Sequence, residues 1–215
     1  MKKQSIKYLI LIIAPFIFGC RGPVKEENKS NASAKSLSPA IGNEKYTIDT
    51  KGSFVVWKGS NLIGSNSHTG YVYVSKGELI IENDQLMGGT AQVDMNTIED
   101  EKHEKDNGLV EHLKDPDFFD VKKIPFSTIV LNKAVSINGE SKEVSGNLTI
   151  KGITQPVTFP AKIEVKDGIV KINGRLVIDR TKWNVRYKSG KFYDLLADQT
   201  ISDSIEFHIK IVAKK

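Results

Sequence analysis

The chain has 215 residues and a single cysteine, which excludes a disulfide within the chain. Its 31 basic and 26 acidic residues give a formal net charge of +5, but three of the lysines, Lys2, Lys3 and Lys7, belong to a leader segment, and without them the balance is 28 to 26. A charge so close to neutral, with no basic stripe along one element, excludes a nucleic-acid-binding protein.

The first segment of the chain is typical of a signal peptide. Basic residues precede an apolar run at 8–18 that is too short to span a bilayer as a helix. The run ends at Gly19, directly before Cys20, and the segment resembles a bacterial lipobox, in which a peptidase cuts before a cysteine that carries diacylglycerol. We predict a lipoprotein signal peptide at 1–19 and lipidation of Cys20. An ordinary signal peptide whose tail contains a cysteine is the alternative.

A polar segment follows the predicted lipidation site. Residues 20–44 are mainly Lys, Glu, Asn, Ser, Ala, Pro and Gly, and such a segment cannot bury enough apolar surface to offset the entropy lost on ordering. We predict a flexible tether that links the lipid to one domain at 45–215. The protein is then expected in the cell envelope, anchored to the outer membrane and facing the periplasm or the cell surface.

Alternation of apolar and polar residues dominates the predicted domain. In the clearest case Ile205, Phe207, Ile209 and Ile211 point one way and the polar residues between them point the other, as in a strand with one wet face. The strands predicted in this way are 54–57, 71–74, 79–81, 91–95, 126–131, 144–150, 157–165, 169–178 and 205–211.

Short glycine- and asparagine-rich pairs separate these strands. Turns are predicted at 76–77, 83–84, 87–89, 138–139, 151–152 and 167–168. One helix is predicted around 99–114, with Leu109, Val110 and Leu113 at helical spacing and Pro116 ending it. About eight short strands with one helix indicate an all-β fold, either a closed barrel or two packed sheets.

Two motifs resemble the YceI-like polyisoprenoid-binding family. The run GNLTIKGITQPVTF at 146–159 is similar to that family's strand–turn–strand, and 97–120 resembles the family's segment in which a short helix ends in the acidic–aromatic run DFFD. The run IPFST at 124–128 looks like the strand start that follows, and the resemblance covers about 46–212.

The resemblance implies an eight-stranded antiparallel, lipocalin-like β-barrel with one short helix in a long loop. It also implies a lumen that holds a polyisoprenoid or an isoprenoid quinone, and it implies no catalytic residue and no cofactor. The loop at 106–111 is longer than in soluble members of the family, and the tract 179–187 looks more like a subgroup. The fold therefore transfers to this chain better than the ligand does.

The inward members of the alternating strands are the candidate lumen wall, because an apolar lumen binds a prenyl chain through the area removed from water. A dry barrel filled by its own side chains is the alternative for each of them. These residues are Val55, Trp57, Val72, Val74, Val93, Met95, Phe207, Ile209 and Ile211.

A phosphate or quinone head group needs polar partners at the barrel mouth. One cluster combines cationic and aromatic side chains, and a solvated strand face is its alternative reading. The cluster consists of Arg180, Lys182, Trp183, Arg186 and Tyr187.

The sequence predicts neither a metal site nor catalysis. His103, Glu104 and His112 do not match the spacing of a common zinc motif. An enzyme acting on an isoprenoid or a sugar-lipid would need carboxylates converging on the cavity, and the candidates are Asp94, Asp117 and Asp179.

These observations favour a lipid-anchored, monomeric carrier whose partners are a polyisoprenoid or quinone-type lipid and a membrane. The alternative is a surface-exposed interaction module with a filled, ligand-free barrel. Exposed aromatic residues such as Tyr71 and Tyr73 would favour this alternative.

Overall fold

The computed structural model describes residues 43–138 and 141–215, so the predicted signal peptide, Cys20 and all of the predicted tether before Asn43 lie outside the described residues. Strands make up most of the described chain. They are β1 (Glu44–Ile48), β2 (Phe54–Ser60), β3 (Ser67–Glu82), β4 (Gln85–Asp100), β5 (Phe126–Asn138), β6 (Ser141–Ile150), β7 (Ile153–Lys166), β8 (Ile169–Asp179) and β9 (Ser204–Lys214). Helix α1 spans Gly108–Lys114, and a short 3₁₀ helix spans Arg180–Trp183.

The strands form one closed antiparallel barrel with eight positions around its wall. Neighbours run in the order β3-β2-β9-β8-β7-β6-β5-β4, and β4 pairs again with β3. The position between β3 and β9 is shared, because β1 pairs with one half of β3 and β2 with the other. This arrangement confirms the predicted eight-stranded barrel, and closure leaves no unpaired sheet edge.

The two ends of the barrel differ. At the closed end lie the start of β1 and the short hairpins that join β3 to β4 and β7 to β8. At the open end lie the longer connections 61–66, 101–125 and 180–203, together with α1. Binding residues of a barrel commonly lie on long connections at one end, because the strands of the wall hold those connections in position.

Three predicted turns are confirmed as two-residue hairpins. Positive φ occurs at both residues in each: 49° and 59° at Asn83 and Asp84, 52° and 73° at Lys151 and Gly152, and 51° and 73° at Asp167 and Gly168. Two positive φ angles are what type I′ turns require, and their twist matches that of the strands they join.

Two predicted turns are wrong. Residues 76–77 lie inside β3 and residues 87–89 inside β4, where the ladder between the strands shifts register near Lys76 and near Ile81. Gly77 is needed there for a close approach, since a Cβ at this position would lie 2.4 Å from the Thr90 carbonyl oxygen. A glycine inside a strand marks a bulge as readily as a turn.

The helix begins later than predicted. Glu99 and Asp100 still belong to β4 and pair with Tyr71 and Gly70, so that the helix starts only at Gly108. Its start is set by Asn107, whose side-chain oxygen accepts a hydrogen bond from the Val110 amide at 2.9 Å. No helix among residues 43–138 and 141–215 is long and apolar enough to cross a membrane.

Two apolar clusters lie inside the barrel. The larger one extends along the barrel and includes Tyr46, Leu79, Leu86 and Val144 towards the closed end. The smaller one lies at the open end, where α1 contributes Val110 and Leu113 and the loop after it contributes Phe118 and Val121. Each fully buried aliphatic side chain stabilises the fold by about 1.5–3 kcal/mol relative to its exposed state.

Candidate functional site

A cavity of about 520 Å³ lies inside the barrel near its open end, between the wall and the connections there. Its volume falls within the roughly 300–1,000 Å³ of small-molecule sites. Apolar side chains from β2, β3, β4, β5, β6, β8 and β9 form the wall, and Leu109, Leu113, Phe118 and Phe119 cover it from the helical side. An apolar surface of this kind binds a water-insoluble molecule by removing area from water.

The cavity opens to solvent beside the loop 61–66. Asn66, His68, Asp198 and Gln199 are exposed, and all four line the cavity. We call this opening the mouth. Asn61 and Asn66 flank it on one side and the segment 188–201 flanks it on the other. Polar groups are thus concentrated at the mouth, while the interior is apolar.

The structure brings most of the predicted wall residues to one cavity. Those that line it are Val55, Trp57, Val72, Val93, Met95, Phe207 and Ile209. Val74 and Ile211 also point inward, but they are buried in the larger apolar cluster and do not line the cavity. They follow Val72 and Ile209 along the same strand faces, one step closer to the closed end. The role of the lining residues as ligand contacts stays a prediction.

Several lining residues were not among the predicted ones. Ile129, Leu148, Leu176 and Ile178 are inward members of strands that the sequence did predict, so the same alternation would have identified them. The residues of α1 and of the loop after it carry no comparable signal, because helical spacing shows only that one face is apolar and not where that face packs.

The predicted head-group cluster does not converge on one point. Arg180 is only 2% exposed, and its guanidinium donates to the backbone carbonyls of Ser202, Val185 and Ile201 at 2.9, 2.8 and 3.0 Å. Burial lowers the pKa of Arg180, and the negative charge of nearby Asp203 opposes this shift. Arg180 reaches the cavity wall, but its donors are already used to hold the segment 180–203 to the barrel.

The other members of the cluster separate between cavity and surface. Trp183 lines the cavity and donates from Nε1 to the Leu148 carbonyl at 3.1 Å. Tyr187 also lines it, with its ring 4.5 Å from the His112 ring in an edge-on contact. Lys182 and Arg186 are exposed and do not line the cavity; the Arg186 guanidinium lies 4.6 Å from the centre of the Phe192 ring.

Lys188 is a cation at the mouth that the sequence analysis missed. It lines the cavity, and its ammonium group lies 5.5 Å from the centre of the Tyr187 ring. Its φ of 47° places the backbone in the left-handed region, which is uncommon for lysine. Lysine residues have no periodicity of their own in a loop, so the sequence held no signal that would have singled it out.

The carboxylates considered for catalysis lie outside the cavity lining. Asp94 accepts from the Asn96 amide at 3.0 Å, and Asp179 accepts from the Thr181 amide at 3.0 Å and from Lys191 Nζ at 2.6 Å. Burial would raise the pKa of Asp179, but these hydrogen bonds lower it. Within the described ranges Asp198 is the carboxylate that lines the cavity.

In the part of the chain that the structure describes, one group of side chains could hold a metal ion. His112, Asp115 and Asp117 have ligand atoms within 4.8 Å of one another, and His112 Nε2 lies 3.1 Å from Asp117 Oδ2. Both aspartates are exposed. This group differs from the combination of His103, Glu104 and His112 considered from the sequence, since His103 contacts Glu99 instead.

A buried carboxylate lies at the end of β4, outside the cavity lining. Glu99 accepts a hydrogen bond from the Tyr73 hydroxyl, and its Oε1 lies 2.5 Å from His103 Nδ1. Burial would raise the pKa of Glu99, but the bonds from Tyr73 and His103 lower it. Burial and the bond to Glu99 raise the pKa of Tyr73 to about 12. The contact joins the connection after β4 to the barrel wall.

Comparison with known proteins adds a family and a fold. A family model described as the YceI-like domain matches residues 46–213. A UPF0312 protein of Pseudomonas aeruginosa is 37% identical over 71 residues, or 33% of this chain and 35% of that protein. One of Shewanella denitrificans is 27% identical over 133 residues, or 58% and 65%. The chain thus matches from about a third to about two thirds of the length of these relatives.

Solved structures share the barrel. Burkholderia cenocepacia BcnA superposes with a TM-score of 0.59 and 19% identity, over 78% of this chain and 99% of BcnA. A polyisoprenoid-binding domain from Saccharophagus degradans, implicated in plant cell wall breakdown, gives a TM-score of 0.56 and 12% identity, over 79% and 97%. At these identities the likeness concerns the fold alone.

Proposed function

The chain belongs to the YceI-like domain family, and from that premise we propose that it binds one long apolar molecule in the cavity of its barrel. The observation that carries the proposal is the cavity of about 520 Å³, apolar inside and polar at its mouth. Such a site fits an amphiphile with an apolar chain inside and a polar group at the surface. At about 0.8 kcal/mol per buried CH₂, a chain of ten or more carbons supplies the affinity of a specific carrier.

A polyisoprenoid or an isoprenoid quinone is the ligand that we favour. The family resemblance at 146–159 supports this class, as does the polyisoprenoid-binding domain that shares the fold. The position of Lys188, His68 and Asn66 at the mouth supports a head group there, because these side chains offer hydrogen-bond donors. We propose that Lys188, rather than Arg180, is the cation that meets it.

We further propose that the mature protein is held in the cell envelope by a lipid on Cys20. The support comes from the leader sequence, with its basic residues, its apolar run and its single cysteine after Gly19. Two or three acyl chains would anchor the protein firmly, since one chain alone binds a membrane only marginally.

We favour binding over catalysis and over a filled interaction module. A catalytic reading would need several acids or histidines converging on the ligand. Among the described residues the lining offers one carboxylate, Asp198, and two histidines, His68 on β3 and His112 on α1, which come from different elements. A filled barrel would leave no space where the cavity of about 520 Å³ lies. Exposed Phe126, Val130, Val135 and Ile137 on β5 are the surface that an interaction module would use.

The test replaces neighbouring residues that face opposite sides of β5. Ile129 lines the cavity, whereas Val130 is exposed on the outer face. Ile129→Trp puts a large ring into the cavity, and we expect at least a tenfold loss of co-purifying lipid. Val130→Trp adds the same ring outside and should retain the lipid. The full chain is purified from its own host, and lipid is measured by native mass spectrometry followed by organic extraction.

Equal lipid in the two variants would contradict a site in the cavity. A wild-type protein that stays empty when offered prenyl phosphates and quinones would contradict this ligand class and favour the interaction module. Circular dichroism of both variants guards against a loss of folding, because an added ring in a packed interior commonly costs about 1–3 kcal/mol.

A further inference from the structure

Five large apolar side chains are exposed on two connections at the open end. Leu62 and Ile63 are each 59% exposed in the loop 61–66, and Phe192, Tyr193 and Leu196 are 47%, 47% and 69% exposed in the segment 188–201. Single exposed apolar residues are ordinary on a protein surface, but a group around one opening indicates an interaction site.

The two connections form one unit at the mouth. The Leu62 amide donates to the Thr200 carbonyl at 2.7 Å, and Asn61 Nδ2 donates to the Asp198 carbonyl at 3.3 Å. The Thr200 amide in turn donates to the Leu196 carbonyl at 3.0 Å. Because Asn61 and Asp198 line the cavity, the exposed apolar side chains border the route by which a ligand enters.

The composition of the two connections fits the interface of a membrane. The stretch 59–67 contains no charged residue, so Leu62 and Ile63 can enter an apolar medium without carrying an ion with them. The second segment carries Phe192 and Tyr193, and aromatic rings prefer the interface of a bilayer. Its two lysines are balanced by Asp194 and Asp198, so the segment has no net charge. Arg186, which is exposed just before the segment, is a cation that anionic lipids would attract.

We propose that the open end docks on a lipid bilayer. The side chains on both sides of the mouth then insert into the bilayer interface: Leu62 and Ile63 on one side, and Phe192, Tyr193 and Leu196 on the other. The mouth then faces the membrane, and an apolar ligand passes between bilayer and cavity without crossing water. The docking rests on the proposed carrier function for its purpose, but the exposed side chains that carry it are independent of any ligand.

The position of the predicted anchor is compatible with this orientation. β1 begins at the closed end, opposite the mouth. The residues from Cys20 to Asn43 can reach about 80 Å at most when extended. A strand of 16 residues such as β3 is about 50 Å long, and strand tilt makes the barrel shorter than its strands. A lipid on Cys20 therefore allows the open end to meet the same membrane.

The experiment compares two labelled positions in the full chain. Cys20→Ser removes the native thiol, and one new cysteine is introduced as Leu62→Cys at the mouth or as Val135→Cys on the outer face of β5, where the native side chain is also 59% exposed. Each protein carries an environment-sensitive fluorophore and is mixed with vesicles of phosphatidylethanolamine and phosphatidylglycerol at three to one. The leader is the same in both proteins, so a membrane contact of the leader affects both equally.

We expect the fluorophore at position 62 to shift to shorter wavelength and to be quenched by acyl-chain quenchers at least threefold more than the fluorophore at position 135. Adding Phe192→Ser and Leu196→Ser should reduce that quenching at least twofold. Equal quenching at positions 62 and 135 would overturn the proposal, and a protein receptor would then be the better occupant of this surface. The readout needs no bound ligand, so an empty cavity would defeat the proposed function and leave this result standing.

Discussion

Arg180 shows how far a single residue type can mislead. In the sequence it stands with Lys182, Trp183 and Arg186 as a cationic and aromatic cluster. In the fold its guanidinium is surrounded by three carbonyl oxygens from the segment 180–203 and lies 3.5 Å from the Asp203 carboxylate. A planar group with five donors is well suited to tie irregular backbone together, because each donor satisfies a carbonyl that would otherwise be buried without a partner.

Tyr73 is expected to ionise late. Its hydroxyl donates to Glu99, and its pKa is raised to about 12, above the value of about 10 for a tyrosine in an unfolded chain. A group whose pKa is raised by folding stabilises the protein fully below the lower value. Its contribution is then lost as the pH rises from about 10 to about 12.

The test of this prediction is the absorbance of tyrosinate at alkaline pH. Tyr73→Phe should remove the absorbance change of one tyrosine near pH 12. A titration in Tyr73→Phe that retains its full amplitude near pH 12 would show that the Tyr73–Glu99 bond is absent in solution.

At the scale of elements, two glycines of β3 stand where the neighbouring strands approach too closely for a side chain. Gly70 lies opposite Trp57, and a Cβ at Gly70 would lie 2.1 Å from the Glu99 carbonyl oxygen and 2.5 Å from the indole ring. The missing side chain lets the indole lie flat against the strand. Gly77 of the same strand was predicted as part of a turn, because a glycine needed for close approach looks the same in sequence as one needed for a bend.

Gly70→Ala and Gly108→Ala form a matched pair of substitutions. The first forces a methyl group into the backbone of β4 and the ring of Trp57, so the free energy of unfolding should fall by an amount at or above the top of the roughly 1–3 kcal/mol range for overpacking. The second lies at the start of α1 with no atom within 4 Å of the added methyl. There the free energy should be unchanged or should rise by up to about 1 kcal/mol.

Urea unfolding followed by tryptophan fluorescence measures both effects, since Trp57 and Trp183 lie inside the barrel. Equal stability of the two variants would mean that neither the backbone of β4 nor the Trp57 ring lies against Gly70 in solution.

At the scale of the whole molecule, the barrel separates packing from binding along its axis. Val72 and Val74 share one face of β3, yet the first borders the cavity and the second is packed. Tyr46 of β1 and the hairpin residues Leu79 and Leu86 fill the interior towards the closed end. The half towards the closed end is therefore packed with side chains, whereas the other half holds the cavity.

The predicted lipid anchor should contribute nothing to folding. We expect Cys20→Ser to abolish incorporation of labelled fatty acid, and a chain starting at Asn43 to unfold as a monomer with the same free energy as the full chain, within about 0.5 kcal/mol. β1 starts at Glu44, whose carboxylate bonds Lys215, so a start at Asn43 keeps the barrel complete. Acylation of the Cys20→Ser protein, or an unfolded shorter chain, would defeat the respective expectation.

The sequence by itself determined eight of the nine described strands, three hairpins, the helix and the family, because alternation, turn residues and motifs are properties of neighbouring residues. It missed β1 and divided β3 in two at the glycine of its bulge. It also identified wall residues such as Val55, Met95 and Phe207. Only the tertiary structure decided that Val74 and Ile211 are packed away from the cavity, that Arg180 is used by the backbone, and that Leu62 lies beside Leu196. These facts depend on residues far apart in the chain meeting at one end of a closed barrel, and no local pattern records which end that is.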